Sequence, residues 1–286
     1  MIYLESFYMP DLIKESEYLY CSAYPFSLYT KREFTDIHFS NITIFYGGNG
    51  SGKSTLLNII NEKLNLQRKA SFYKDEHFDK FVSYCKARLA VDEITDNDIK
   101  IPKNSKIIAS EDIAKYIIDI RNKNINNSEN TEKYKKEYLD AKFTPYKNSS
   151  LSDYEYLKRK TETLSVTQSE YVRRRTSFVR QHSNGEWALK YYDSELENDG
   201  LYLLDEPENS LAPNFQLKLM DLIIECSRFC GCQFIISTHS PFILSIPGAK
   251  IYNLDKNPVE VCKWSELDNM KLYYEFFKRH DGDFEG

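Results

Sequence analysis

No apolar run in this sequence approaches the roughly 18 residues a membrane-spanning helix needs. Its first residues, MIYLESFYMPDLIKES, have no basic stretch followed by an unbroken apolar core. No secretory signal or membrane insertion is therefore expected, and the cytoplasm is the expected location. Positive charge is also short: 38 Lys and Arg stand against 43 Asp and Glu, a net charge of −5. That balance excludes a surface coated in positive charge for non-specific nucleic-acid binding. Of six cysteines only Cys226, Cys230 and Cys232 cluster, in CSRFCGC. A structural zinc site needs a second pair of ligands, so the cluster reads as reduced thiols. Sustained heptads are missing, which excludes a long coiled-coil arm, and there is no internal repeat.

What remains is a chain of 286 residues, 41% apolar, long enough for one large domain or one domain carrying an inserted lobe. Three short apolar runs end in polar residues: ITIFYG (42–47), LYLLDE (201–206) and QFIISTHS (233–240). Continuous apolarity marks strands of a parallel sheet buried on both faces, and open α/β sheets bind ligands at the carboxyl ends of such strands. Amphipathic helices follow. STLLNIINEKL brings Leu56, Leu57, Ile60 and Leu64 to one side, and PNFQLKLMDLIIECSRF carries a stripe of Phe215, Leu219, Leu222, Ile223 and Cys226 behind Pro213 at a first helical position. Strand and helix in alternation predict an α/β fold.

Between about Glu111 and Arg180 the sequence becomes long, charged and Tyr-rich, which predicts an inserted helical lobe over 111–180 between core segments 1–110 and 181–286. Leu151–Arg175 would form a rod of roughly 38 Å if wholly helical. The Asn-rich RNKNINNSEN (121–130) reads as a loop. Arg173, Arg174, Arg175 and Arg180 offer either a solvated helix face or a local phosphate track, which leaves nucleic-acid binding open.

The chemistry concentrates at three strand ends. Gly47, Gly48, Asn49, Gly50, Ser51, Gly52, Lys53, Ser54 and Thr55 match G-x-x-x-x-G-K-[ST] after a strand and before a helix. In such a loop backbone N–H groups surround phosphates, Lys53 reaches the β and γ oxygens, and the Ser54 hydroxyl ligates Mg²⁺. At the second strand end Asp205 is a Mg²⁺ ligand and Glu206 a base that activates water; without the phosphate loop the same pair would read as a turn before Pro207. At the third, His239 before Pro241 can donate to a γ-phosphate or to the water.

The order GGNGSGKST, HSNGE, LYLLDEPENSL, STHSPFIL resembles the ABC-type ATPase head, in particular the small stand-alone bacterial AAA-family ATPases that are OLD- or SMC-like. The resemblance implies ATP and Mg²⁺ as cofactors, a P-loop NTPase fold with a mixed, mostly parallel sheet flanked by helices, and a homodimer that sandwiches ATP. It implies that Glu206 is the catalytic glutamate, His239 the switch histidine, and Asn209 and Ser210 part of a D-loop-like segment. It further implies that Ser183, Asn184, Gly185 and Glu186 form a signature loop acting in trans on the partner's nucleotide. Read locally, Ser183-x-x-Glu186 is a capping box, and a capped helix start with a flexible glycine is also an anion site. The family's Q-loop glutamine is missing; Ser110 and Glu111, after SKIIA, stand in its place.

The reading is thus an ATP-hydrolysing switch or clamp in DNA repair or anti-phage defence, with a nuclease or toxin partner considered. A transporter's nucleotide-binding subunit and a small-molecule P-loop kinase are the alternatives.

Overall fold

Short runs of Ile, Leu, Phe and Tyr uninterrupted by glycine or proline can form strands buried on both faces, and Ile42–Tyr46, Leu201–Asp205 and Gln233–Ser237 do so. The computed structural model describes residues 1–20, 22–92, 96–143, 153–176, 182–209 and 211–284. In chain order its elements are β1 (Leu4–Tyr8), α1 (Leu12–Ser16), β2 (Asp36–His38), β3 (Ile42–Tyr46), α2 (Lys53–Leu64), α3 (Glu76–Tyr84), β4 (Lys86–Leu89) and β5 (Lys106–Ala109). There follow α4 (Ser110–Phe143), α5 (Asp153–Ser165), α6 (Gln168–Arg175), α7 (Asn184–Glu195), β6 (Leu201–Asp205), α8 (Pro213–Phe229) and β7 (Gln233–Ser237). The chain closes with α9 (Pro241–Leu244), β8 (Lys250–Asn253), β9 (Glu260–Cys262) and α10 (Asp268–Arg279).

The chain divides into two units, residues 1–113 with 184–286, and residues 114–183. The first unit holds a six-stranded sheet in the order β5-β6-β7-β3-β8-β9, parallel except for the final β8–β9 pair. This is the mixed, mostly parallel sheet expected from the sequence. All of β3 and β7 and most of β6 are buried, and α2 contributes Leu56, Leu57, Ile59 and Ile60 to the same core. Pro213 does occupy the first turn of α8, and Leu219, Ile223 and Cys226 form its buried stripe. A smaller antiparallel sheet, β2-β1-β4, is stitched on by one buried carboxamide. Gln233 Oε1 accepts from Tyr3 N and Leu4 N, each at 2.9 Å, while its Nε2 donates to Leu4 O at 2.9 Å.

In the second unit, residues 121–130 are helical, not a loop: α4 runs through them without a break. Asparagine lowers helix propensity by only a few tenths of a kcal/mol per residue, and this stretch holds neither glycine nor proline to end it. Ser128 and Thr131 donate their hydroxyls back to the carbonyls of Asn124 (3.0 Å) and Asn127 (2.7 Å), bonds that a helix interior accommodates at little cost. Nor is 151–175 a single rod. Thr167 interrupts it as an N-cap, accepting from Glu170 N at 3.3 Å, and so starts α6 afresh. Arg174 pairs with Glu170 at 2.7 Å, and Arg175 pairs with Glu162 at 2.6 Å while lying over the Tyr171 ring. Two of the arginines that might have formed a phosphate track thus have acidic partners; Arg180 lies outside the described residues.

Candidate functional site

Sheet order dictates what meets at its carboxyl edge. Because β6, β7 and β3 are adjacent and in parallel register, with Asp205 opposite Ser237 and Phe45 opposite Ser237, the three polar strand ends emerge side by side. The loop after β3 reaches α2 through Gly50 (φ +80°) and Gly52 (φ +96°), backbone angles that side chains other than glycine rarely adopt. Gly47 is closed in as well: a Cβ there would sit 2.6 Å from Ser51 Oγ. Helix α2 begins without any side-chain cap, so its first N–H groups are left as donors for an anion.

Lys53 is buried and curls back over the loop, donating to Gly47 O (2.7 Å) and Gly48 O (3.2 Å) and to His239 Nε2 (2.8 Å). Burial pushes its ammonium below the ordinary lysine value, and the carboxylates of Glu206, Asp255, Asp205 and Glu208 act against that. Burial, with the Lys53 charge, also lowers His239, so its imidazole is neutral at pH 7. Since Nε2 accepts from the lysine, the ring proton sits on Nδ1.

Ser54 donates its hydroxyl to Asp205 Oδ1 at 2.9 Å, and Ser237 donates to the same oxygen. A hydroxyl and a carboxylate converging at a sheet edge are hard oxygen donors of the kind Mg²⁺ takes alongside substrate phosphates and water. Among the described residues no group of three or more His, Cys, Asp or Glu is arranged to hold a metal, and Cys226, Cys230 and Cys232 are free thiols. Burial raises Asp205 above the ordinary aspartate value, more than the two hydroxyl bonds lower it, and Glu206 and Glu111 add to the rise. A carboxyl whose folded value is raised favours the fold below its unfolded value near 4, and that contribution is lost as pH rises through the folded value. Asp205→Asn is expected to remove Mg²⁺-dependent turnover without lowering the ligand-free melting temperature, since it takes away a carboxyl whose charged form burial disfavours; calorimetry beside an activity assay checks both.

Glu206 has φ +46°, a left-handed backbone that costs about 1–3 kcal/mol in a non-glycine residue. Its N–H donates to Ser237 O at 3.0 Å, which holds the strained turn against β7. One carboxylate oxygen accepts from Asn209 Nδ2 at 2.9 Å, and the other lies 3.8 Å from His239 Nε2. Ser210 lies outside the described residues. Ser110 and Glu111 open α4 where Ala109 pairs with Asp205, so they follow the strand end beside β6.

Several contacts were not foreseen from sequence, among them those of Glu208, which the D-loop-like segment ENSL (208–211) includes. Glu208 is largely buried and accepts from His239 N (2.6 Å) and Ser240 N (3.2 Å). Arg68 brings a half-buried guanidinium under the influence of Asp112, Asp205 and Glu111. From the irregular segment before β2, the Tyr29 hydroxyl donates to Gly52 O at 2.8 Å and Arg32 donates to Ser51 O at 2.7 Å. Tyr24 contacts the Thr55 hydroxyl and, with Phe26, Lys31 and Arg32, lines a cavity of about 460 Å³.

The HSNGE segment lies at a helix start. Asn184, Gly185 and Glu186 already form the first turn of α7, with Ser183 just before it. Gly185 is buried, and a Cβ on it would sit 2.4 Å from the Phe215 ring. Its glycine provides close packing of α7 against α8, not flexibility.

Residues 111–245 match the family described as "AAA domain, putative AbiEii toxin, Type IV TA system". The fold these residues belong to is α/β, with a mostly parallel sheet flanked by helices. The family match takes in Asp205, Glu206 and His239 and begins after the phosphate loop. Among solved structures the chain is similar to an SMC head domain with an extended coiled coil from Pyrococcus furiosus (15% identity, TM-score 0.44, covering 96% of this chain and 100% of that one). It is also similar to an SMC head domain from Thermotoga maritima (13%, 0.43, 92% and 99%). A third is the ATP-binding cassette MJ0796, a dimer in a post-hydrolysis state bound to ADP and phosphate (17%, 0.37, 82% and 91%). No curated protein matches the chain. Among the described residues no helix is long and apolar enough to cross a membrane.

Proposed function

We propose that this protein is a Mg²⁺-dependent ATPase in which bound ATP draws two copies together, and that the closure is its output. The observation that carries the reading is the convergence of Lys53, the Ser54–Asp205 pair, Glu206 and His239 on one sheet edge beside an uncapped helix start. Lys53 and the N–H groups of the glycine loop hold the phosphates, and the cavity between Tyr24 and Arg32 accommodates base and ribose. Ser54 and Asp205 hold Mg²⁺, which when bound offsets phosphate charge. Glu206 takes the proton from the attacking water, and His239 supports the transferring phosphoryl group.

Residues Ser183–Glu186 of one copy complete the site of the other. ATP bridging both surfaces favours the closed pair, since a ligand shifts an equilibrium by its differential affinity for the two states. The switch would act in anti-phage defence or in DNA repair; the matched family's description, which names a type IV toxin–antitoxin system, adds a toxin–antitoxin setting to be tested beside them.

ATP turnover with Mg²⁺ and the molar mass in solution with and without ATP test this reading on the parent and on Lys53→Ala. The parent is expected to hydrolyse ATP and to gain mass with it. Lys53→Ala should lose about 10²-fold or more of kcat/KM, as expected on removal of a charge that stabilises a transferring phosphoryl group. Turnover by Lys53→Ala at the parent rate would remove the phosphate-loop assignment.

A further inference from the structure

The first peptide of the phosphate loop joins two glycines, Gly47 and Gly48, and is the one least constrained by its own side chains. Its orientation nevertheless matters. Across a trans peptide the C=O of one residue and the N–H of the next point in opposite directions. If the Gly48 N–H faces outward, the Gly47 carbonyl must face inward, and that carbonyl is where Lys53 Nζ is held at 2.7 Å.

An outside group fixes that direction. Strand β8 runs parallel to β3 with Asn253 opposite Tyr46, so the chain leaving β8 emerges beside the loop leaving β3. Leu254 N donates to Tyr46 O at 2.7 Å and continues the pairing one residue further. Asn253 Oδ1 accepts from Asp255 N at 3.1 Å, which sets the turn. The Asp255 carboxylate then straddles the Gly48 N–H, with Oδ1 at 2.8 Å and Oδ2 at 2.9 Å. Arg32 ties the same two segments together, donating to Ser51 O and to Leu254 O.

We propose that Asp255 is a positioning residue of the nucleotide site: it sets the Gly47–Gly48 peptide and, through the Gly47 carbonyl, the place of the Lys53 ammonium. The inference rests on the nucleotide-site reading given above. It runs against simple electrostatics, because a carboxylate beside a phosphate site repels the ligand and its removal on that ground alone would strengthen ATP binding.

Two variants separate the hydrogen bond from the charge. Asp255→Ala removes both, and Asp255→Asn keeps an acceptor oxygen for Gly48 while losing the charge. Steady-state Mg²⁺-ATP turnover is expected to show kcat/KM about tenfold lower for Asp255→Ala, the size of a lost hydrogen bond to a charged group. Asp255→Asn should stay within about threefold of the parent, since a neutral acceptor retains roughly half the strength of a charged one. Because Asp255 is exposed, both variants should melt near the parent temperature. Equal behaviour of the two variants, turnover above the parent in both, or parent-like turnover in Asp255→Ala would each overturn the positioning role. Lys53→Ala, measured beside them, isolates the underlying reading: parent-like turnover there removes the nucleotide site itself, whatever the Asp255 variants do.

Discussion

Glu206→Gln is expected to lower ATP turnover by about 10²–10⁴-fold, the usual contribution of a positioned general base, while leaving ATP bound and the paired state accumulating. The substitution keeps the volume of the side chain and an oxygen that can still accept from Asn209, but a carboxamide cannot take a proton from water. The strained backbone at residue 206 stays in place because its N–H is held by Ser237. Neutral His239 is no substitute for the lost base, since its Nε2 already accepts from Lys53. Single-turnover hydrolysis with molar mass measured in ATP checks both halves of the expectation. Hydrolysis at the parent rate would assign the proton to another group.

The second large effect concerns the in-trans site. Ser183→Arg introduces a long cation just before α7, at the helix start proposed to meet the phosphate of the other copy. Alone it should lose turnover about 10²-fold or more, in the range found when transition-state donors are removed. Lys53→Ala should be comparably inactive because its own phosphate loop is crippled. Mixing the two restores one complete site in each mixed dimer. With random pairing half the dimers are mixed and half their sites are intact, so about a quarter of the parent activity should return. No recovery, with mixed dimers shown to form, would mean that each copy works alone.

The parts legible in the sequence were those whose chemistry is local. The phosphate loop is a contiguous glycine pattern, and Asp205, Glu206 and His239 each close an apolar run that announces a strand end. The edge they share follows from parallel strand order, which alternating strands and helices already suggested. The remainder is set by contacts between residues far apart in the chain. Glu208 meets His239 N from 31 positions away, and Asp255 meets Gly48 N from 207 away. Gly185 read as a flexible glycine because a glycine's neighbours in sequence do not reveal that a Phe215 ring lies against it. Residues 121–130 were misread for the opposite reason. Asparagine is a weak local signal, and with neither glycine nor proline in the stretch nothing ends the helix there.

Glu208 joins the turn after β6 to the turn after β7 through charge-assisted bonds to two successive N–H groups. Mechanically, the carboxylate acts as a tie rod between two neighbouring loops. With the Glu206 N–H also held by Ser237 O, the two turns are linked at two points. A displacement of the 206–209 turn is therefore expected to carry the His239 backbone with it, so that Glu206 and His239 keep their spacing.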